Sequence, residues 1–515
     1  MKIRTLLLSV PIGAMLMACS TKVPDSFTEN EALPAIYPDY VNVTIPVNLA
    51  PLTFELDDPD ADGMVARYAA GDVEIICADK MQPDIDDWHE LIQSTINHQP
   101  STIQVDVYAR HGDQWTHYKP FSIYVSPDSI DPWLSYRLIP PSFVSYEALT
   151  ISQRCLENYD ESVIYDNMLC GLEKDGQCIN CHHYQQFNPQ RMQFHARQNH
   201  GGTVIAYDGK LTKVNMKNDS ILSAGVYPAW HPWLNLIVYS TDKTHQSFHT
   251  TDPNKIEVFD TESDIIAYDV ERAEVTNLEN DPNEMEVFPA WAPDGRTLYY
   301  CSAHFEVGDS ITNRNLEVVN RSQELKYNIY RKSFNPDTWE FGPRELVFDA
   351  DSLLATDSLS ERQSGGSAVL PRISPDGRFL VFTMASYGYF HIWHHDADLW
   401  MIDLKGLGAS PLTPANSPDT ESYHTWSSNS RWLVFSSRRD DGVFTRPFFA
   451  HIDEEGNVGK PFELPAADPD YHRQFMRCYN IPEFMRGPVT IAPQTFADVL
   501  KGEGITVKYV QQLHR

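Results

Sequence analysis

A short motif occurs four times beyond residue 200, and this repetition restricts the possible folds more than any other feature of the sequence. Each copy joins an aromatic or apolar residue, a strand entry, a turn and a strongly β-forming run. In two copies the turn is Pro-Asp-Gly, in which proline presets φ, aspartate binds the backbone and glycine takes a positive φ. The copies are YPAWHPWLNLIVYST from Tyr227, FPAWAPDGRTLYYCS from Phe288, LPRISPDGRFLVFTM from Leu370 and YHTWSSNSRWLVFSS from Tyr423.

The repeat predicts a β-propeller, whose four-stranded blades take about 40 to 50 residues each. Some copies lie further apart, so we expect loop insertions between them. GGTVIAYDGKLTKVNM before the first copy and YHRQFMRCYNIPEF after the last indicate two degraded copies, which makes six blades. The four strings resemble the repeat of TolB-like β-propellers over residues 195 to 490. This resemblance implies a mostly β fold, with a six-bladed TolB-like propeller over residues 195–515.

Two further regions precede the predicted propeller. Residues 37–140 contain short alternating segments such as YVNVTIPVNL and TIQVDVYAR, which predict a β-sandwich-like domain. Residues 141–194 include SYEALTISQRCLENYDESVIYDNML, which lacks period-two alternation and predicts a short helical connector.

The N-terminus predicts export and lipid attachment. Residues 1–19 have a basic start, an apolar core and the sequence Leu16-Met17-Ala18-Cys19, which resembles a bacterial lipoprotein signal with Cys19 as the lipidated residue. Residues 20–36 are then a polar tether. Nothing later approaches 18 uninterrupted apolar residues, so the lipid is the predicted membrane anchor. Ser20 does not resemble an inner-membrane retention signal, which favours the outer membrane, facing the periplasm.

The net charge of the chain argues against nucleic acid as a partner. The sequence has 71 acidic and 40 basic residues, for a formal charge of -31. Such a surface repels phosphate backbones.

The segment GQCINCHHY at 176–184 carries the most specific chemical motif. In a C-x-x-C-H motif, Cys178 and Cys181 form thioethers to one haem, and His182 binds the iron as the proximal ligand. Zinc binding by the two thiolates is an alternative, although the sequence has no second matched ligand pair. A thioredoxin-type redox pair is another alternative, but a βαβ context is missing.

The sixth iron ligand is sought in RMQFHARQNHGGT, just after the motif. This segment offers Met192, His195 and His200. A methionine would raise the reduction potential of the haem, and a second histidine would lower it. We select His195, so that His182 and His195 are the predicted metal ligands.

Taken together, four features resemble the exported Bacteroidetes lipoproteins described as cytochrome c-related or TolB-like. They are the lipobox, the β-rich N-terminal part, the CINCH motif and the FHAR...GGT segment. The resemblance covers nearly the whole mature chain. It implies an exported propeller with one covalent haem c at Cys178, Cys181 and His182. The favoured function is a membrane-anchored monohaem cytochrome, with the propeller as docking domain for an envelope redox partner, in electron transfer or redox sensing.

Two other functions remain open. One is a non-catalytic envelope scaffold whose propeller face binds a protein or glycan. The other is a metal-dependent oligosaccharide lyase, because some TolB-like propellers that this sequence resembles are pectic-oligosaccharide lyases with a histidine-bound metal. Candidate histidines for that metal are His231, His304, His424 and His472, with a further group in YFHIWHHDADLW. A prolyl oligopeptidase-like enzyme is disfavoured, since the G-x-S-x-G motif is absent.

Overall fold

A computed structural model of the chain is mostly β. Thirty-six strands and four α-helices occur in the part of the chain that it describes. None of the helices in that part is long and apolar enough to cross a membrane. Cys19 lies outside the described residues, so its lipidation stays a prediction. The described residues are 21–96, 100–141, 148–170, 176–308, 311–352, 365–406 and 408–515.

The N-terminal region contains two sheets and one helix. The larger sheet comprises β1 (Thr28–Asn30), β3 (Thr44–Pro46), β5 (Gly63–Ala70), β6 (Val73–Ala78), β8 (Thr102–His111), β9 (Gln114–Tyr118) and β10 (Phe121–Ser126). The smaller one comprises β2 (Ile36–Tyr37), β4 (Phe54–Leu56) and β7 (Lys80–Met81). In the larger sheet β8 is central, since it pairs with β5 on one edge and with β9 and β10 on the other.

Helix α1 (Ile85–Ile96) was not part of the predicted sandwich. Its buried side chains, Trp88, Leu91 and Ile92, join the apolar cluster that contains Val105 and Ile123 of the larger sheet. The helix therefore supplies part of the layer that covers this sheet. The spacing of its apolar residues follows the helical period, a signal that the neighbouring strand pattern concealed.

Six sheet units follow along the chain. Unit I is β11 (Trp133–Ile139), β12 (Thr150–Cys155), β13 (Glu161–Asp166) and β34 (Cys478–Met485); unit II is β14 (Gln177–Tyr184), β15 (Met192–Gln198), β16 (Gly202–Tyr207) and β17 (Lys210–Asn215). Unit III is β18 (Gly225–Trp230), β19 (Leu236–Phe248), β20 (Ile256–Asp269) and β21 (Glu274–Glu279); unit IV is β22 (Glu284–Trp291), β23 (Thr297–His304), β24 (Asn328–Asn335) and β25 (Glu340–Phe348). Units III and IV are joined into one sheet by a short parallel pairing of β20 with β22, at Ser263 and Met285. Unit V is β26 (Ser367–Ile373), β27 (Phe379–Ala385), β28 (Asp398–Asp403) and β29 (Ala409–Pro411); unit VI is β30 (Glu421–Trp426), β31 (Trp432–Ser437), β32 (Arg446–His451) and β33 (Phe462–Glu463).

The remaining elements connect or extend these units. They are α2 (Arg314–Asn320), α3 (Tyr471–Gln474), α4 (Pro493–Lys501), β35 (Ile505–Thr506) and β36 (Lys508–Tyr509). Strand β35 pairs with β17 of unit II, and β36 pairs with β21 of unit III. The C-terminal tail therefore bridges two neighbouring units.

The prediction of a helical connector over 141–194 is wrong. Its described residues contain β12, β13 and β14, and β15 begins at Met192. All six residues of β12 are buried, because the strand lies within a sheet that is covered on both faces. A strand buried on both faces need not alternate, so the missing period-two pattern was not evidence for helix. The six units thus begin at Trp133, well before the predicted boundary at 195.

The inner strand of each unit has the same backbone irregularity. In β14, β18, β22, β26, β30 and β34 a bulge shifts the pairing register with the next strand. One residue at each bulge has a left-handed backbone with φ between 46° and 57°, although none is glycine. These residues are Cys181, Tyr227, Phe288, Leu370, Tyr423 and Ile481. The CxxCH segment is therefore a further copy of the repeat, which the sequence comparison missed.

Neighbouring units share apolar clusters, and the sixth unit packs against the first. The pairs from unit I onward include Ile151 with Phe194, Ile205 with Ile237, Val238 with Leu298, Val287 with Phe382, Val381 with Leu433, and Val434 with Leu134. The last of these clusters also contains the N-terminal sheet and α1. Unit I is completed by β34, a strand more than 300 residues away in sequence from its partner β11.

Removing β34 should therefore prevent folding. We expect a chain that ends at Arg477 to aggregate, because the long edge of β11 and the clusters on both faces of unit I would be exposed. A chain that ends at Gly502 keeps β34 and α4, and should unfold cooperatively at a lower Tm. Circular dichroism melting of the soluble fraction distinguishes them. A cooperative transition in the chain that ends at Arg477 would contradict the conclusion that β34 is needed to complete unit I.

Candidate functional site

The inner strands end around a funnel. Each of the six units contributes to the funnel wall the residue three positions after its left-handed residue. This residue is aromatic in five of the six units. These residues are Tyr184, Trp230, Trp291, Ile373, Trp426 and Phe484. The indole N–H of Trp291 donates to the carbonyl of Ala229 at 3.2 Å, and that of Trp426 donates to the carbonyl of Arg372 at 3.1 Å. These bonds fasten neighbouring inner strands together at the funnel wall.

Three side chains with a basic or carboxyl group stand in this largely apolar funnel, beside the neutral polar residues Gln186 and Thr425. His183, Arg372 and Glu483 each lie two positions after a left-handed residue, and each lines the funnel. His183 Nδ1 lies 2.6 Å from Glu483 Oε1. The other oxygen of Glu483 is buried and has no hydrogen-bond partner among the described residues. Although burial raises it, the pKa of Glu483 is lowered overall by His183 and, more weakly, by Arg372.

Arg372 is not neutralised by a direct ion pair. One terminal nitrogen of its guanidinium donates to the carbonyl of Pro371, at 3.0 Å. Burial lowers the pKa of Arg372, and the charge of Glu483 opposes this shift. No ion pair within 4.0 Å joins Arg372 to Glu483 or to any other carboxylate in the described ranges. Arg372 and Glu483 therefore bring opposite charges to the same funnel without forming an ion pair within 4.0 Å.

Sequence reasoning missed these three residues. In the aligned copies the same position is Ala229, Ala290 and Thr425. Arg372 departs from the small side chains of its equivalents, which was the available signal. His183 and Glu483 were hidden because their segments had not been aligned with the repeat at this position.

The structure places the predicted haem residues within β14. Cys181 occupies the left-handed position, where Tyr227 and Phe288 of the next two units lie with ring centroids 4.5 Å apart. Cys178 is half-buried and pairs across the sheet with Arg197. Cys181 and His182 are each only 2% exposed. Burial lowers the pKa of His182 to about 4, with the neighbouring Glu483 opposing the shift.

These residues have suitable donor atoms for haem but an unsuitable arrangement. Both thiols are free, and neither ring nitrogen of His182 has a hydrogen-bond partner among the described residues. However, Cys181 and His182 are almost completely buried within β14, which leaves neither side chain open to a porphyrin. Inner strands of units I and III also enclose Cys181 and His182. As folded, Cys178, Cys181 and His182 do not fit a porphyrin, and haem attachment stays a prediction.

The structure also bears on the two alternatives for the cysteines. Cys178 and Cys181 have free thiols and are not joined by a disulfide. In the described ranges, neither belongs to a group of three or more His, Cys, Asp or Glu side chains that could hold a metal ion.

His182 and His195 lie on the paired strands β14 and β15 and have different neighbours. The groups that act on His182 include Glu483 and Arg137, which belong to unit I. His195 is 5% exposed, and its Nδ1 contacts the hydroxyl of Thr203 at 3.0 Å, on the sheet face toward unit III. Burial lowers the pKa of His195 to about 3.

The other two candidates for a sixth ligand occupy different surroundings. Met192 is fully buried in the cluster between units I and II. His200 lies in the turn after β15 with a left-handed backbone, φ 55°. The choice among the three candidates stays a prediction.

The histidines proposed for a lyase metal are also separated. His231 contacts the carbonyl of Gly295, His304 contacts Glu284, His424 contacts the carbonyl of Val381, and His472 contacts Glu463. His394 of the other histidine group is buried against Glu257 at 2.8 Å. In the portion of the chain described, no group of three or more His, Cys, Asp or Glu side chains is placed to hold a metal ion.

A buried group of carboxyls lies beyond the left-handed residues, near the N-terminal end of β18. Asp260 is fully buried, and its Oδ1 accepts a hydrogen bond from Tyr389 at 2.9 Å. Burial raises the pKa of Asp242 to about 7, with Arg197 opposing the shift. Burial raises the pKa of Glu286 to about 9, and nearby acidic residues add to the shift. These carboxyls are protonated more readily than ordinary ones.

Comparisons with known proteins indicate only a distant structural likeness. No protein-family model and no curated protein matches the sequence. A solved structure from work on two prolyl endopeptidases is 11% identical to this chain, with a TM-score of 0.35. The match covers 70% of this chain and 40% of that chain. Prolyl oligopeptidase B from Galerina marginata is 9% identical, covering 66% and 52%, with a TM-score of 0.34. An oligogalacturonate lyase in complex with manganese is 11% identical, covering 71% and 85%, with a TM-score of 0.27.

The chain spans less than half the length of the first of these proteins. Because the identities and TM-scores are this low, the similarities indicate neither a substrate nor a cofactor for this chain. No family is assigned by them.

Glu286 should make stability depend on pH. In the unfolded chain a glutamate ionises near pH 4, whereas the folded protein holds this proton to about pH 9. Between these values the folded state binds the extra proton, so the free energy of unfolding falls as pH rises. We expect the loss of stability from pH 6 to pH 9 to be smaller in Glu286→Gln than in the unaltered protein. The exposed Glu340→Gln change should leave the pH profile unaltered in chemical denaturation, and equal profiles for both variants would be evidence against a protonated Glu286.

Proposed function

We propose that the six units form a six-bladed β-propeller of the TolB-like kind. The proposal is supported by the four aligned repeats, by the bulge shared by six inner strands, and by the apolar cluster that joins unit VI to unit I. Pairing of a C-terminal inner strand with N-terminal strands is a natural way to close such a ring. The N-terminal region packs beside this closure, because it shares the same cluster.

The function that the geometry supports best is ligand binding by an exported, lipid-anchored envelope protein. The main supporting observation is that Arg372 and Glu483 line the same funnel, to which all six inner strands contribute, but do not form an ion pair with each other. Pockets with apolar walls and a few convergent polar groups are typical ligand sites. The proposal also includes export and anchoring to the outer membrane through a lipid on Cys19, which the N-terminal sequence supports.

Blocking the funnel should abolish this binding. Ala290 lines the funnel and is small, so Ala290→Trp would fill it. Protein extracted from its own cells with mild detergent should show a non-covalent mass in native mass spectrometry that disappears under denaturing conditions. We expect Ala290→Trp to lack this mass and the exposed Thr250→Trp to keep it. Identical native and denatured masses for the unaltered protein would contradict binding in the funnel.

A monohaem cytochrome is the second candidate. It is favoured by the CxxCH spacing and by His182, whose buried neutral imidazole has no partner for either nitrogen in the described residues. It also requires β14 to adopt a different conformation from the one seen here. A bound haem c would supply one-electron transfer to an envelope redox partner.

Haem attachment has a direct test in protein matured in the periplasm. The proposal expects a haem-stained band in a denaturing gel, because thioether bonds survive denaturation. Cys178→Ala should lose the stain, whereas Cys77→Ala, which removes a half-buried thiol elsewhere, should keep it. An unstained band of full-length protein would refute covalent haem while leaving the funnel proposal intact.

A further inference from the structure

We infer that the funnel binds a free α-amino acid with an apolar side chain, with its carboxylate on Arg372 and its ammonium group on Glu483. This inference rests on the proposed ligand-binding function and adds the class of ligand. It starts from the separation between the two charged groups. Glu483 acts electrostatically on Arg372, yet no nitrogen–oxygen distance within 4.0 Å joins them.

A site of this kind has an acceptor and a donor that are already in place. Glu483 is 7% exposed, and one of its carboxylate oxygens is occupied by His183 at 2.6 Å. The other oxygen is buried and has no partner among the residues described, and the Glu483 side chain is part of the funnel wall. A buried carboxylate oxygen without a partner is costly, and a ligand ammonium group would remove that cost.

Arg372 provides the complementary half. Its guanidinium carries five N–H donors and stays charged. One terminal nitrogen bonds to the carbonyl of Pro371, which leaves donors for a carboxylate. The planar donor arrangement suits bidentate binding of a carboxylate.

A ligand with a single charge matches the funnel less well. An anion alone would bind Arg372 but would lie near the carboxylate of Glu483. A cation alone would bind Glu483 but would lie near the guanidinium of Arg372. Only a ligand with both charges satisfies both groups, because an unpaired charge in a partly desolvated site is unfavourable.

The walls select the side chain. Pro228, Pro289, Trp291 and Phe187 line the funnel around the charged groups. Their surfaces are apolar and offer few hydrogen-bonding side-chain atoms. Burial of an apolar ligand side chain against them adds to the affinity that the two charges provide.

Isothermal titration calorimetry on the purified full chain tests the inference with three ligands that differ in charge. L-phenylalanine has both charges, N-acetyl-L-phenylalanine lacks the ammonium group, and L-phenylalanine amide lacks the carboxylate. We expect L-phenylalanine to bind, and each analogue to bind at least about tenfold more weakly, because each loses one charge-assisted contact. Equal affinity for all three, or no binding of L-phenylalanine, would overturn the inference.

Variants then assign the two charges. Arg372→Gln should reduce affinity for L-phenylalanine at least about tenfold, and Arg372→Lys should restore part of it. Glu483→Gln should also weaken binding but should reduce the preference for L-phenylalanine over its N-acetyl analogue. The exposed Arg296→Gln is the matched control and should bind as the unaltered protein does. An unchanged ligand preference in Glu483→Gln with a normal circular dichroism spectrum would refute the assigned role of Glu483.

The two proposals fail in different ways. A non-covalent native mass that Ala290→Trp removes, combined with no binding of L-phenylalanine, would contradict the ligand class and leave the funnel as a binding site. Absence of that mass together with absence of L-phenylalanine binding would contradict both.

Discussion

The structure depends on how six inner strands come together around one funnel. Each strand has a left-handed, non-glycine residue at its bulge, which costs about 1–2 kcal/mol of backbone energy. Packing between units must offset that cost, as in the contact between Tyr227 and Phe288 with ring centroids 4.5 Å apart. The bulge also redirects the next residues of the strand, and those residues form the funnel. Architecture and candidate site therefore share one backbone feature.

The mostly β fold and the four aligned inner strands were predictable, because these copies keep strong local signals. Pro375-Asp376-Gly377 marks a turn, and the apolar run after it marks a buried strand. The copy in unit II has no Pro-Asp-Gly turn, and Cys181 stands where the other copies have an aromatic or aliphatic residue. Its CxxCH spacing invited a chemical interpretation, whereas its position in the sheet is that of an ordinary inner strand. The all-buried strand β12 likewise lacked the alternation from which exposed strands are recognised.

The candidate site was less predictable than the fold. Arg372 and Glu483 are more than 100 residues apart in sequence, and only the arrangement of the inner strands brings them to one funnel. The sequence prediction instead selected histidines, because this residue type commonly binds metals. Most of these contact nearby backbone carbonyls or carboxylates, as His424 does with the carbonyl of Val381 at 2.9 Å. Position within the repeat was therefore a better guide than residue type.

The conformation of β14 separates the two functional proposals, and thiol labelling measures it most directly. In native protein the account predicts that a maleimide modifies the half-buried Cys178 but not Cys181, which is 2% exposed. After unfolding, both cysteines should be labelled, and peptide mass spectrometry would assign the sites. Equal labelling of both in the native protein, or no labelling of either after unfolding, would contradict β14 as an inner strand with free thiols.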